Sequence, residues 1–365
     1  MVCRMIVHYN PYLISKLPKQ EIEKYQDFFV PDFENVLEKY KEQTKLLGSF
    51  IFSSFQSTID RTNKSEHILK IKNLYPIVDY DPNFNKPFQE LCLERAKYLL
   101  SLNKIINVFW SGGLDSTNVL FSLLAYRKHK DQIIVQMNYN SILESGYIFD
   151  TFIKPNFLYN IEVFKLENIN FNENEIYLTG HPADLLGWIG IHKNTMDIFS
   201  KNKENLKNDN DYREHLDDSI LNWMTPSIEA FPKPIKTVSD LLWFWGFNYR
   251  WQNQGMCPFH VIRNDNLKEK YHDTVFGFYD NEDFQRWSMS NTETDFSQTD
   301  SKSFIKKTIY NLGGPKTENY IKNKHRTPSS YMNWNRNYLF TKENYENVYV
   351  SDEVMINAYG VYNGK

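Results

Sequence analysis

The strongest constraint on the fold is a strand–turn–helix signature that begins about a third of the way along the chain. Ile105-Ile106-Asn107-Val108-Phe109-Trp110 is a short, mostly apolar run, as in a strand buried on both faces. Ser111-Gly112-Gly113 follows, and adjacent glycines let the backbone turn and approach a ligand with no Cβ in the way. Residues 115–128 are then amphipathic, with Val119, Leu120, Leu123, Leu124 and Tyr126 on or near one side. A bend of this kind aims peptide N–H groups outward at a helix N-terminus, where the helix dipole adds positive potential. It is suited to hold phosphate.

The same alternation continues. Ile133-Ile134-Val135-Gln136-Met137, Ile161-Glu162-Val163-Phe164 and Ile176-Tyr177-Leu178-Thr179 are further strand candidates, separated by helix-length segments. Strands spaced in this way imply βαβ units. The expected class is α/β, a doubly wound, mainly parallel sheet with a small α+β N-terminal region and a mainly helical C-terminal region. The division we expect is 1–95, 96–230 and 231–365. In the first part, residues 18–47 carry helix-spaced apolar positions, Ser49-Phe50-Ile51-Phe52-Ser53 suggests a strand, and 87–102 a helix. Residues 201–218 read as a solvated helix or linker and 288–303 as a loop. Residues 241–251, rich in Trp and Phe, read as a buried helix.

The residues of the bend fit a phosphate role. Ser111 and Ser116 offer hydroxyl donors, and Gly112 and Gly113 offer bare backbone. Asp115 would repel phosphate unless Mg2+ bridged the two, or it could serve as a helix N-cap. Other phosphate motifs are missing: Gly313-Gly314-Pro315-Lys316-Thr317 lacks the spacing of the G-x-x-x-x-G-K-[ST] loop. A second string, Leu178-Thr179-Gly180-His181-Pro182-Ala183-Asp184-Leu185-Leu186-Gly187-Trp188, ends a strand and opens into a loop at the same sheet edge. Asp184 offers a second carboxylate there, or caps a short helix.

Bulk properties exclude several classes. The net charge is −3, which disfavours a dedicated nucleic-acid-binding module. Cys3, Cys92 and Cys257 are too dispersed for a disulfide framework or a CxxC pair. No apolar run approaches the length of a membrane helix and no signal-peptide pattern opens the chain, so a cytoplasmic protein is expected.

The run Val108-Phe109-Trp110-Ser111-Gly112-Gly113-Leu114-Asp115-Ser116-Thr117 resembles the signature of the PP-loop ATP pyrophosphatases, the adenine nucleotide alpha hydrolase-like (HUP-like) superfamily. The second string is similar to the S-G-E-G-x-D-E-x-F-G-G pattern of asparagine synthetases. Gly180 and Asp184 match it, whereas His181 and Leu185 replace its acids. The resemblance covers about a quarter of the chain. It implies ATP and Mg2+ as cofactors, with Asp115 and Asp184 holding the metal. Ser111, Gly112, Gly113, Ser116 and Gly180 would contact the phosphates, and Met137 and Asn138 would lie near adenine. An adenylating enzyme also needs a cationic side chain for the departing pyrophosphate. Lys324 is our candidate, with Lys306 and Lys307 as alternatives.

The implied reaction is AMP-forming ligation, in which a carboxylate or carbonyl oxygen of a small molecule or peptide is adenylated and passed to an amine or ammonia. The aromatic helix 241–251 would wall the acceptor site. Val2 stands where a glutaminase would have its N-terminal cysteine, and the region before the loop domain is about half the length such a domain needs. Direct use of an amine or free ammonia is therefore expected. Two other readings remain open at this point: a nucleobase- or tRNA-modifying enzyme of the superfamily, and a nucleotide-binding protein without catalysis.

Overall fold

The computed structural model describes residues 5–10, 13–14, 17–31, 58–65, 67, 69–161, 172, 174–187, 211–214, 218–260, 274–291, 302–316, 325, 338–343, 346–351 and 353. Contacts divide the chain into two compact units. Unit 1 gathers Met1–Asp79, Gly190–Cys257 and Asn335–Lys365, and unit 2 gathers Tyr80–Ile189 and Pro258–Trp334. The described strands are β1 (Ile6–Tyr9), β2 (Ile105–Phe109), β3 (Ile133–Met137), β4 (Leu158–Ile161), β5 (Glu175–Thr179), β6 (Val275–Gly277), β7 (Tyr338–Lys342) and β8 (Asn347–Tyr349).

Unit 2 is built on a five-stranded sheet in the order β4-β3-β2-β5-β6, parallel at every pairing and with helices on both sides. The chain runs outward from β2 through β3 to β4, then returns to β5 beside β2 and continues to β6. The strand order therefore reverses between β2 and β5. In open parallel sheets, the loops leaving such a pair diverge at their carboxyl ends and leave a crevice suited to a ligand.

β2, β3 and β5 fall where the apolar runs place them, and the helices Phe88–Ser101 and Leu114–Leu124 follow the expected periodicity. The second helix stops at Leu124, short of the expected Lys128, and its last turn tightens where the Tyr126 N–H closes on the Leu123 carbonyl three residues back. Of the expected strand at 161–164 only Ile161 is among the described residues, where it ends β4. β4 is an edge strand with alternating exposed and half-buried residues, so it carries no continuous apolar run. β2 is not wholly apolar inside. Asn107, 2% exposed, donates to Glu175 Oε2 at 2.9 Å and accepts from Gln136 Nε2 at 2.8 Å, a polar ladder across three strands.

One correction concerns the C-terminal part. Ser288 to Ser290 are not loop; they form the last turn of helix Glu282–Ser290, and the Ser288 hydroxyl donates to the Leu186 carbonyl at 2.6 Å. Among the described residues the C-terminal region is mainly helical, as expected, and it also supplies β6 to the parallel sheet and β7 and β8 to a second one. The helix Ser303–Asn311 packs on both Leu114–Leu124 and Phe88–Ser101. Phe88 of the latter sits among Tyr279, Phe284, Trp287 and Phe304.

Unit 1 contains the antiparallel sheet β1-β7-β8 over a core that includes Ile6, Leu13, Ile14, Phe28, Phe29 and Phe340. The expected aromatic helix is present in three pieces: α-helix Val238–Phe244, a π-helical turn Trp245–Arg250, and α-helix Trp251–His260. Of the expected N-terminal helix, Lys19–Lys24 is seen; residues 32–57, with the proposed strand at 49–53, lie outside the described residues, as does most of 201–218. Among the described residues, no helix is long and apolar enough to cross a membrane.

Candidate functional site

The bend after β2 is held open by its own hydroxyl groups. Ser116 Oγ accepts from the Ser111 amide at 3.2 Å and lies 3.2 Å from Ser111 Oγ, which in turn accepts from the Gly113 amide at 3.3 Å. Thr117 Oγ1 donates to the Gly113 carbonyl at 2.7 Å and accepts from the indole N–H of Trp110 at 3.0 Å. Gly113 is the N-cap of helix Leu114–Leu124, and no side chain caps that end. Asp115, in the first turn, is therefore not the N-cap.

Glycine is required at two places. Gly112 has φ +82°, and a Cβ there would come 2.6 Å from the Ser141 carbonyl oxygen. Gly180, just past β5, lies so close to the helix that a Cβ would fall 2.9 Å from the Ser116 nitrogen and 3.0 Å from Asp115 Cβ. The loop carrying Asp184 thus rests directly on the first turn carrying Asp115. The peptide between His181 and Pro182 is cis. Ala183–Leu185 forms a 3-10 turn with no side-chain cap, so Asp184 is not consumed as one. Leu185, at the place of the synthetases' second acid, is buried in the core at 1% exposure.

Both carboxylates converge on one cation that the sequence did not reveal. The Lys302 ammonium contacts Asp115 Oδ2 and lies 2.5 Å from Asp184 Oδ1. Burial alone would depress the Lys302 pKa, but the charges of Asp115 and Asp184 and their hydrogen bonds outweigh it and raise the value above the usual lysine range. Lys302 has φ +64°, the left-handed region, and it is the N-cap of helix Ser303–Asn311. The packing of that helix on Leu114–Leu124 brings the ammonium back to a residue 187 positions earlier in the chain.

A buried relay supports the Asp115 backbone. The amide of Asn118 donates to Tyr279 Oη at 2.9 Å, and Tyr279 Oη donates to the Asp115 carbonyl at 3.1 Å. Tyr279 is fully buried, and its burial keeps the phenol neutral, with a pKa well above the ordinary value. No sequence pattern marks Tyr279 or Lys302; each acts through a tertiary contact across a long stretch of chain.

The remaining sequence candidates divide. Met137 is 2% exposed at the end of β3, and Asn138 caps helix Tyr139–Glu144, its side chain accepting from the Ser141 amide at 2.9 Å. That helix abuts Gly112, so both residues share the bend's sheet edge. Lys306 and Lys307 lie on helix Ser303–Asn311, half-buried and exposed respectively. Lys324 lies outside the described residues. Its neighbour His325 donates its amide to the Glu144 carbonyl at 2.8 Å, at the end of the helix that abuts Gly112. The aromatic segment proposed to wall the acceptor site belongs to unit 1, whereas every other candidate named here belongs to unit 2.

A divalent cation suits this donor set. Two carboxylates, delivered by the loops after β2 and β5, already meet a single positive centre beside a helix N-terminus, and hard oxygen donors are what Mg2+ requires. Among the described residues no group of three or more His, Cys, Asp or Glu gathers as a metal site, so the remaining ligands would have to be waters or phosphate oxygens. Comparison of the chain with family models, with curated proteins and with solved structures gives no match.

Proposed function

We propose that unit 2 is a PP-loop-type ATP site and that the chain is an AMP-forming carbon–nitrogen ligase, similar to the synthetase part of asparagine synthetases. The observation that carries this reading is the meeting of Asp115 and Asp184 at one cation, beside a hydroxyl-lined bend, where the sheet order reverses. Asp115 and Asp184 would hold Mg2+, which when bound would offset phosphate charge and stabilise departing pyrophosphate.

The chain's own residues supply the rest. Ser111 and Ser116 present hydroxyls whose present partners are each other and the local backbone, donors that a phosphate oxygen can take over. Gly112 and Gly113 leave the backbone of the bend bare. Lys302 brings a positive charge that can follow the phosphate charge as it shifts. Positioning and charge stabilisation of this kind are what adenylation needs from a protein. The acceptor would be a carboxylate or an equivalent carbonyl oxygen, and the nucleophile an amine or ammonia.

The test has two stages. Calorimetry should show that the chain binds Mg·ATP or a nonhydrolysable analogue. ATP labelled at the α-phosphate, incubated with pooled carboxylates and amines, should then yield AMP and pyrophosphate. Asp115→Ala should lower AMP formation about 100-fold or more while leaving the thermal melt in place. Failure to bind Mg·ATP would remove the reading altogether, and binding without AMP would reduce it to a nucleotide-binding protein.

A further inference from the structure

We infer that Lys302 is a tethered competitor of the metal: its ammonium occupies the Asp115–Asp184 pair until a nucleotide draws it away, so that divalent cation and ATP bind cooperatively. The inference rests on the nucleotide reading above and specifies how that site is regulated. Lys302 touches both carboxylates proposed as metal ligands, Asp184 at 2.5 Å. A metal held by the same oxygens would lie within a few ångströms of the ammonium, and two cations at that separation repel strongly in a partly buried site. They cannot share the pair.

The lysine is delivered with little freedom. Its backbone takes the left-handed conformation that non-glycine residues seldom adopt, at the N-cap of a helix packed against the phosphate-bend helix. Triphosphate would present the ammonium with an alternative anionic partner. Lys302 would then leave the pair, and the vacated carboxylates would accept the metal arriving with the nucleotide. Where the ammonium holds the pair in nine molecules of ten, apparent metal affinity falls about tenfold.

Binding of Mn2+ alone, read by electron paramagnetic resonance, tests this. Lys302→Met and Lys302→Gln should bind Mn2+ about tenfold or more tighter than the wild type, and Lys302→Arg should stay weak. Adding Asp184→Asn to Lys302→Met should remove the gain. A wild-type measurement covers the case in which the variants do not fold: saturating Mg2+ should raise the rate at which acetic anhydride acetylates Lys302, read by mass spectrometry. Unchanged Mn2+ affinity in folded Lys302→Met, or unchanged Lys302 labelling, overturns the inference. A parallel titration of the wild type with Mg·ATP separates the two claims. A Mn2+ gain without Mg·ATP binding keeps the competition and ends the nucleotide reading; Mg·ATP binding without the gain does the reverse.

Discussion

At position 180 there is room for a hydrogen and nothing larger. A methyl group would meet backbone, the Ser116 nitrogen, which cannot step aside without moving the first turn of helix Leu114–Leu124. Gly180→Ala is therefore expected to cost about 1–3 kcal/mol, the usual range for overpacking, and to separate Asp184 from Asp115. Urea unfolding reads the first effect and Mn2+ binding the second; an unchanged midpoint would mean that the loop yields freely. Tyr279 offers a subtler probe. Tyr279→Phe removes the donor to the Asp115 carbonyl and the acceptor for the Asn118 amide, at nearly the same volume. The Asn118 amide keeps its 3.3 Å hydrogen bond to Cys92 Sγ, so the loss is that of an ordinary hydrogen bond, about 0.5–1.5 kcal/mol. We expect Tyr279→Phe to show that loss with the bend intact, and a variant as stable as the wild type would mean that the relay contributes nothing.

Among the elements, Val238–Phe244 shows how local chemistry fixes a boundary. Thr237 accepts from the Asp240 amide at 3.1 Å, and the Asp240 carboxylate accepts from the Thr237 amide at 3.2 Å, a complete capping box. Asp240 also pairs with Lys233 at 3.0 Å. Thr237→Ala should cost about 1 kcal/mol in unfolding free energy; a change within error would show that the cap does not set the start of the helix. Elements of this kind were legible where local pattern and tertiary role agree. β2 and β5 announce themselves as apolar runs because they are central strands buried on both faces, and β3 does so with every second residue buried and the others half-buried. β4 is an edge strand and β6 has three residues, so neither needs a run; the run read at 161–164 meets β4 at Ile161, and nothing in the sequence marked β6. The bend and both carboxylates could be read because the loop chemistry is contiguous. Lys302 could not: it stands in a polar stretch, and its role exists only once a distant helix has docked on Leu114–Leu124.

On the scale of the whole molecule, the two units carry different kinds of buried polarity, and acid should separate them. Among the described residues, unit 1 holds two histidines in their neutral form, His8 fully buried and His67 half-buried. Burial lowers the His8 pKa to about 3, only partly offset by its 2.5 Å hydrogen bond with Asn253 Oδ1. Burial likewise lowers that of His67, against the raising influence of the Asp60 charge, and its Nε2 accepts from the Asp60 amide at 3.3 Å, which requires that nitrogen to be unprotonated. In the unfolded chain both titrate near 6.5. Above that pH they are neutral in both states and cost nothing. Below it the unfolded chain takes up protons that the folded unit refuses, so stability falls as the pH drops, by about 1.4 kcal/mol per pH unit for each histidine. For His8 the decline continues down to about pH 3.

The buried carboxylate Asp60 adds a later loss in the same unit. Burial would raise its pKa, but hydrogen bonds from the Ser65 amide, Asn248, Thr62 and Ser227 outweigh that and lower it. Its contribution is complete above the ordinary carboxylate pKa and disappears only as the pH falls through the lowered folded value. Unit 1 should therefore weaken from about pH 6.5 downward, well before Asp60 protonates. Pulse-labelled hydrogen exchange should show peptides from β1 and from residues 238–257 opening between pH 6.5 and 5, while those from β2, β3 and β5 hold. His8→Gln should flatten the pH dependence of the first group. Simultaneous opening of both groups, or exchange in β1 that does not change with pH, would show that the two histidines do not set the acid limit of unit 1.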